Sequence, residues 1–221
     1  MTKSRLRRAL LISLTAVSCM LFQLVSAHAF GLSDLSSSAE TAKSAAEGTS
    51  LLSKAKKVYS GFYDSTENLI DAQTATMSLI NPTRHANAVA ELGSINSESG
   101  VSKLFKMVAF SESMDSTTQG MDLTGRLTAI LTDPASLEKA KGIYNNASGA
   151  YTSGSKSIIE AKTLYQEIKN FIASPSSKGL SESLLSGLGS YSDKILPFII
   201  EHGPARVKTA AGIADAFKGF L

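Results

Sequence analysis

Residues 133–173 read DPASLEKAKGIYNNASGAYTSGSKSIIEAKTLYQEIKNFIA, and the spacing of their apolar and small side chains decides the fold. Leu137, Ala140, Tyr144, Ala147, Tyr151, Gly154, Ile158, Ala161, Tyr165, Ile168 and Ile172 follow one another at steps of three and four. That is a heptad pattern, which turns one face of an α-helix toward a neighbour along its whole length. Asp133 and Pro134 supply an acidic N-cap and a proline at the first helical position. Ser174-Pro175-Ser176-Ser177 ends the run. A helix this long spans roughly 60 Å, which predicts an elongated bundle.

Along that face small residues alternate with large ones. Small side chains let a neighbouring backbone approach closely, while tyrosines fill the space between helices and keep their hydroxyls near water. Tyr144, Ala147, Tyr151, Gly154, Ile158, Ala161 and Tyr165 are therefore the expected helix-packing or partner seam.

The same periodicity recurs upstream. Leu51, Ala55, Val58, Phe62, Ser65, Leu69, Ala72, Thr76 and Leu79 also step by four and three, until Asn81-Pro82 stops the run. Before it, residues 34–47 read as a weaker Ala/Ser-rich helix interrupted at Gly48. A faint echo links the two long helices: LSKAKKVY at 52–59 against LEKAKGIY at 137–144. It reflects a duplication or two sequences under one packing constraint.

The remaining segments complete an all-α reading. A short helix is expected over 83–92, ended by Gly93, then a long one over 97–131 bent near Gly120. Residues 180–201 form another, kinked at Pro197 and closed by Gly203-Pro204. A last amphipathic helix over 206–220 puts Ala210, Ile213, Phe217 and Phe220 on one side. The expected architecture is an elongated antiparallel bundle of about four long helices, with shorter ones capping the ends.

The first 29 residues have the three parts of a secretory signal. Lys3, Arg5, Arg7 and Arg8 precede an apolar, uncharged run, and Ala27-His28-Ala29 supplies a small-x-small cleavage pattern. The domain reading is thus a signal peptide over 1–29 and one helical bundle over 30–221. The expected product is periplasmic or secreted after cleavage following Ala29. The alternative is lipid anchoring at Cys19, but strongly apolar Met20-Leu21-Phe22 follows that cysteine where a lipoprotein turns polar.

Cleavage rewrites the composition. The chain carries 22 Lys+Arg against 19 Asp+Glu; without the four basic residues of the leader the balance is 18 against 19, a net charge of −1 in place of +3. Arginine then survives only at positions 84, 126 and 206. Nucleic-acid binding needs a concentrated basic face, so no nucleic-acid partner is expected. The cut also removes the only cysteine, and with it any disulfide, thiol nucleophile or thiolate metal site.

Chemistry-bearing residues are sparse. His85 and His202 both fall at expected helix ends, and no H-E-x-x-H or E-x-x-H motif accompanies them. Gly187-Leu188-Gly189-Ser190 begins like a dinucleotide fingerprint but lacks the third glycine and a preceding strand. Met107, Met114 and Met121 recur every seven residues. Neighbours in such a stripe lie about 10 Å apart along a helix, too far to share one Cu(I) ion. They suit a core gap or an adaptable apolar face.

With Ile195 and Phe198 of the apolar C-terminal segment, these methionines make the candidate face for an apolar ligand. That segment is read as a hairpin closing the bundle, with insertion into lipid or a partner as the alternative. No catalytic residues, cofactor or metal are expected. The function read from these features is that of a non-enzymatic exported protein acting by protein–protein interaction or self-assembly in the cell envelope. The alternative is a carrier or chaperone for an apolar or lipid ligand, with a lipid or membrane surface as its partner.

Overall fold

Two heptad faces folded against each other organise the chain. The computed structural model describes residues 32–118 and 123–221, with side chains over 39–116 and 123–221. The leader over 1–29, Cys19, the bend expected at Gly120 and Met121 lie outside the described residues. Every described element is helical.

Helix α1 (Leu32–Ile80) buries the face expected of it: Leu51, Ala55, Val58, Phe62, Ser65, Leu69, Ala72 and Thr76. It runs through Gly48 without a break. A Cβ at that position would meet Leu184 Cδ2 at 3.0 Å and Phe171 Cε1 at 3.1 Å, so this glycine makes room for neighbours. A second stripe of α1, Thr66, Ile70, Gln73 and Met77, is buried as well. Helix α2 (Pro82–Ile95) starts at the Asn81 cap, whose side chain accepts from the Arg84 N–H, and passes through Gly93.

Helices α3 (Gly100–Thr118) and α4 (Leu123–Ile130) follow, on either side of the undescribed residues 119–122. Helix α5 (Pro134–Ala173) begins where its cap predicts: Asp133 accepts from the N–H groups of Ala135 and Ser136. A 3₁₀ turn over Pro175–Ser177 leads to α6 (Glu182–Ser190).

The C-terminal region departs from the expected hairpin. A π turn over Tyr191–Ile195 joins α6 directly to α7 (Leu196–Lys218), and the Leu196 N–H reaches the Tyr191 carbonyl. Pro197 explains the wider turn, because it has no N–H and its ring crowds the carbonyl four residues back. Pro204, by contrast, does not end the helix. It is exposed and lies inside α7, while Gly203 beside it is buried against Ile158.

Cross-helix pairs fix the direction of each neighbour. Lys54 with Glu167 and Ser65 with Ala150 make α1 and α5 antiparallel. Gly203 against Ile158, with Lys169 paired to Asp193, makes α5 and α7 antiparallel too. Glu67 with Lys103 and Gln73 with Ser111 show that α3 runs parallel to α1. Phe105 with Phe198 and Asp115 with Arg206 show that it runs parallel to α7 as well. Purely antiparallel packing fails here because α2 carries the chain back: Leu92 and Asn96, near its end, lie beside Glu67 and Ile70.

Apolar burial falls into three groups. One gathers Phe62, Leu104, Ala161, Leu188 and Ile199; a second gathers Leu69, Leu127, Ala147 and Phe217; a third holds Met77, Ala88, Met107 and Met114.

Candidate functional site

The seam of α5 is rotated from its expected line. Ala140, Ala147, Gly154, Ala161 and Ile168 are buried, and the residues that alternate with them inside are Ile143, Ala150, Ser157, Leu164 and Phe171. Ile158 is buried beside them. Tyr144 and Tyr165 are half-buried at the flank, and Tyr151 is 47 % exposed. Midway along this seam the side facing α1 is made of small residues, Ala150, Gly154 and Ser157, and Ser65 Oγ donates to the Ala150 carbonyl at 2.7 Å. Tyrosines at the flank keep their hydroxyls near water without solvating buried phenols. Tyr144 and Tyr151 wall an open groove of about 340 Å³ together with Ala211 and Ala214 of α7.

The methionine face divides. Met107 and Met114 are buried with Ile70, Met77 and Phe110, between α1, α2 and α3. Ile195 is buried in a different group, with Leu51, Leu188 and Leu196, and Phe198 packs on that group from its edge. Among the described residues no helix is long and apolar enough to cross a membrane.

Between α1, α3 and α7 lies a polar cluster that periodicity did not announce. Arg206 is 6 % exposed, and its Nη2 lies 2.7 Å from Asp115 Oδ2. Thr209 Oγ1 donates to the same carboxylate at 2.9 Å, and Gln73 Nε2 donates to Oδ1. Gln73 also donates to the Ser111 carbonyl and accepts from the Ser111 hydroxyl. Nε and Nη1 of Arg206 are buried and have no hydrogen-bond partner among the described residues.

Burial holds the Asp115 carboxyl above the usual carboxylate range, against the pull of Arg206 and the Thr209 and Gln73 donors. One turn away, His202 Nδ1 lies 3.1 Å from Glu112 Oε1, and its ring packs on Phe198. His202 thus stands within α7, not at its end, while His85 occupies the first turn of α2. Among the described residues no group of three His, Cys, Asp or Glu side chains converges on a point. The cluster ties three helices in one register; chemically it is a pair of opposite charges with hydrogen-bond support.

An outward-facing groove lies between α1 and α5. Lys54, Lys57 and Val58 of α1 and Ile159, Glu160, Leu164 and Glu167 of α5 enclose an open groove of about 360 Å³. Val58 and Leu164 form a buried apolar floor, and Ile159 stands 67 % exposed beside it. The walls carry opposite charges: lysines on α1, glutamates on α5.

No known protein family matches the chain, and neither a curated protein nor a solved structure matches it significantly.

Proposed function

We propose that the chain is a non-enzymatic exported helical-bundle protein, periplasmic or secreted after cleavage following Ala29, that acts by binding protein in the cell envelope. The observation that supports this most is Ile159, a large apolar side chain at 67 % exposure beside an apolar-floored groove with charged walls. Apolar centres ringed by polar residues are the usual anatomy of protein contacts. The heptad faces of α1 and α5 do not serve this role, because Ser65, Ala150 and Gly154 are spent on packing within the chain.

The test is capture from an envelope fraction by the purified chain, beside an Ile159→Glu variant. A protein retained by the first and lost by the second is expected. Mass spectrometry of the exported product should find the chain starting at Phe30. Acyl groups on Cys19 would overturn the leader reading.

A carrier of apolar ligand is the second reading, and the groove's volume of about 360 Å³ favours it, since ligand pockets begin near this size. Solvent extraction of the exported protein decides between them: a stoichiometric acyl compound would replace protein binding as the function.

A further inference from the structure

We infer that the occupant of the α1–α5 groove is a second copy of this chain, related by a two-fold axis running along the groove. The inference rests on the protein-binding reading and names its partner. Lys54 and Lys57 line one wall and Glu160 and Glu167 the other, with Ile159 exposed alongside. An acidic partner meets repulsion from the glutamate wall and a basic one from the lysine wall. An anionic membrane surface is repelled by the same glutamates. The fitting surface carries both signs in reversed order, around an apolar centre.

This chain presents that surface. Rotation by 180° about an axis parallel to the helices brings the α1 wall of one copy over the α5 wall of the other and keeps every residue at its own level. Lys54 lies 3.4 Å from Glu167 within the chain, so these two share a level. In the dimer each therefore faces its counterpart across the interface. An axis perpendicular to the helices would set lysine against lysine, so the two copies run parallel. Such a contact is isologous, the commonest form of self-association. The internal pairs Lys54–Glu167 and Lys156–Glu160 oppose it little, because exposed ion pairs exchange partners at small cost.

The test is sedimentation equilibrium of the full chain, expressed with its own leader and purified as it accumulates. Concentration-dependent dimerisation is expected, and Ile159→Lys, which removes the apolar contact and faces the partner's lysine wall, should weaken it about tenfold or more with an unchanged circular dichroism spectrum. Two charge-inverted variants give the decisive arm. Lys54→Glu with Lys57→Glu makes both walls acidic, and Glu160→Lys with Glu167→Lys makes both basic.

Each variant alone should be monomeric, and an equimolar mixture should dimerise, which also shows that both fold. A monomeric wild type, a mixture that stays monomeric, or an Ile159→Lys variant that dimerises as tightly as the wild type overturns the inference. If the wild type is monomeric yet captures a different envelope protein through Ile159, this inference falls while the protein-binding reading stands. If neither association nor capture occurs, both fall.

Discussion

Gly203 of α7 faces Ile158 of α5 so closely that a Cβ on the glycine would sit 2.5 Å from Ile158 Cγ1 and 2.8 Å from its Cδ1. Ile158 is itself buried, and a β-branched side chain has little freedom to turn away. Gly203→Ala should therefore destabilise the fold by about 1–3 kcal/mol despite the better helix propensity of alanine. Gly142, on the exposed face of α5, has open space where its Cβ would be. Gly142→Ala should stabilise by up to about 1 kcal/mol. Urea midpoints of both variants check the opposite signs. A neutral Gly203→Ala would mean that α5 and α7 are not held at this separation.

The two long helices also show what the sequence could and could not disclose. For α1 the apolar steps alone identify the buried face, because Leu51, Val58, Phe62 and Leu69 are unambiguous core residues. For α5 small residues occupy both sides of the line, and the tyrosines draw the reading one position too far round. The missing signal lay in the echo between residues 52–59 and 137–144. That correspondence carries the buried residues Ala55, Val58, Phe62 and Ser65 onto Ala140, Ile143, Ala147 and Ala150, which are buried as well.

Ser65 and Ala150, equivalent in that correspondence, meet directly at 2.7 Å, so the matched segments flank the helix crossing on opposite sides. The helix stops expected at Gly48 and Gly203-Pro204 were misleading for a physical reason, which does not extend to Gly93, where a Cβ would meet nothing. A glycine that ends a helix and one that admits a neighbour look alike until the neighbour is known. The Arg206 cluster was not legible, since its members come from three helices whose relative register no local pattern fixes.

Asp115 and Arg206 should respond unequally to loss of the partner. Asp115→Ala leaves a guanidinium that is more than nine-tenths buried without its carboxylate, with Nε and Nη1 already unpartnered among the described residues. Breaking a buried pair in this way costs about 3–5 kcal/mol. Arg206→Met leaves Asp115 with its Thr209 and Gln73 donors, and its raised pKa eases neutralisation. The expected loss is no more than about 2 kcal/mol. Denaturant curves of the two single variants read the difference; equal losses would show that Arg206 is solvated.

Asp133 gives a pH dependence with a defined sign. Its carboxylate accepts from the Ser136 hydroxyl at 2.7 Å and from the Ser136 and Ala135 N–H groups, and these bonds hold it below the usual carboxylate value. A folded value below the unfolded one means that folding favours the ionised form. The contribution is complete above the unfolded value and is lost as pH falls through the folded one. Asp133→Asn keeps an acceptor at the N-cap but does not titrate. The stability gap between wild type and variant should thus be constant near neutrality and shift against the wild type in acid. A gap independent of pH across that range would contradict the capping geometry.

Met114 tests whether the methionines serve packing or a ligand. It is 1 % exposed, in the group that holds Ile70, Met77 and Phe110. Because the side chain is buried, truncation leaves a cavity. Met114→Ala should cost about 2–5 kcal/mol. Met114→Leu preserves volume and shape well enough to cost less than about 1.5 kcal/mol. A methionine lining a ligand site would behave differently: truncation would leave the free protein's stability nearly unchanged and alter only what is bound. Urea unfolding of extracted, ligand-free protein separates the two roles, because a core residue shows its full loss with no ligand present.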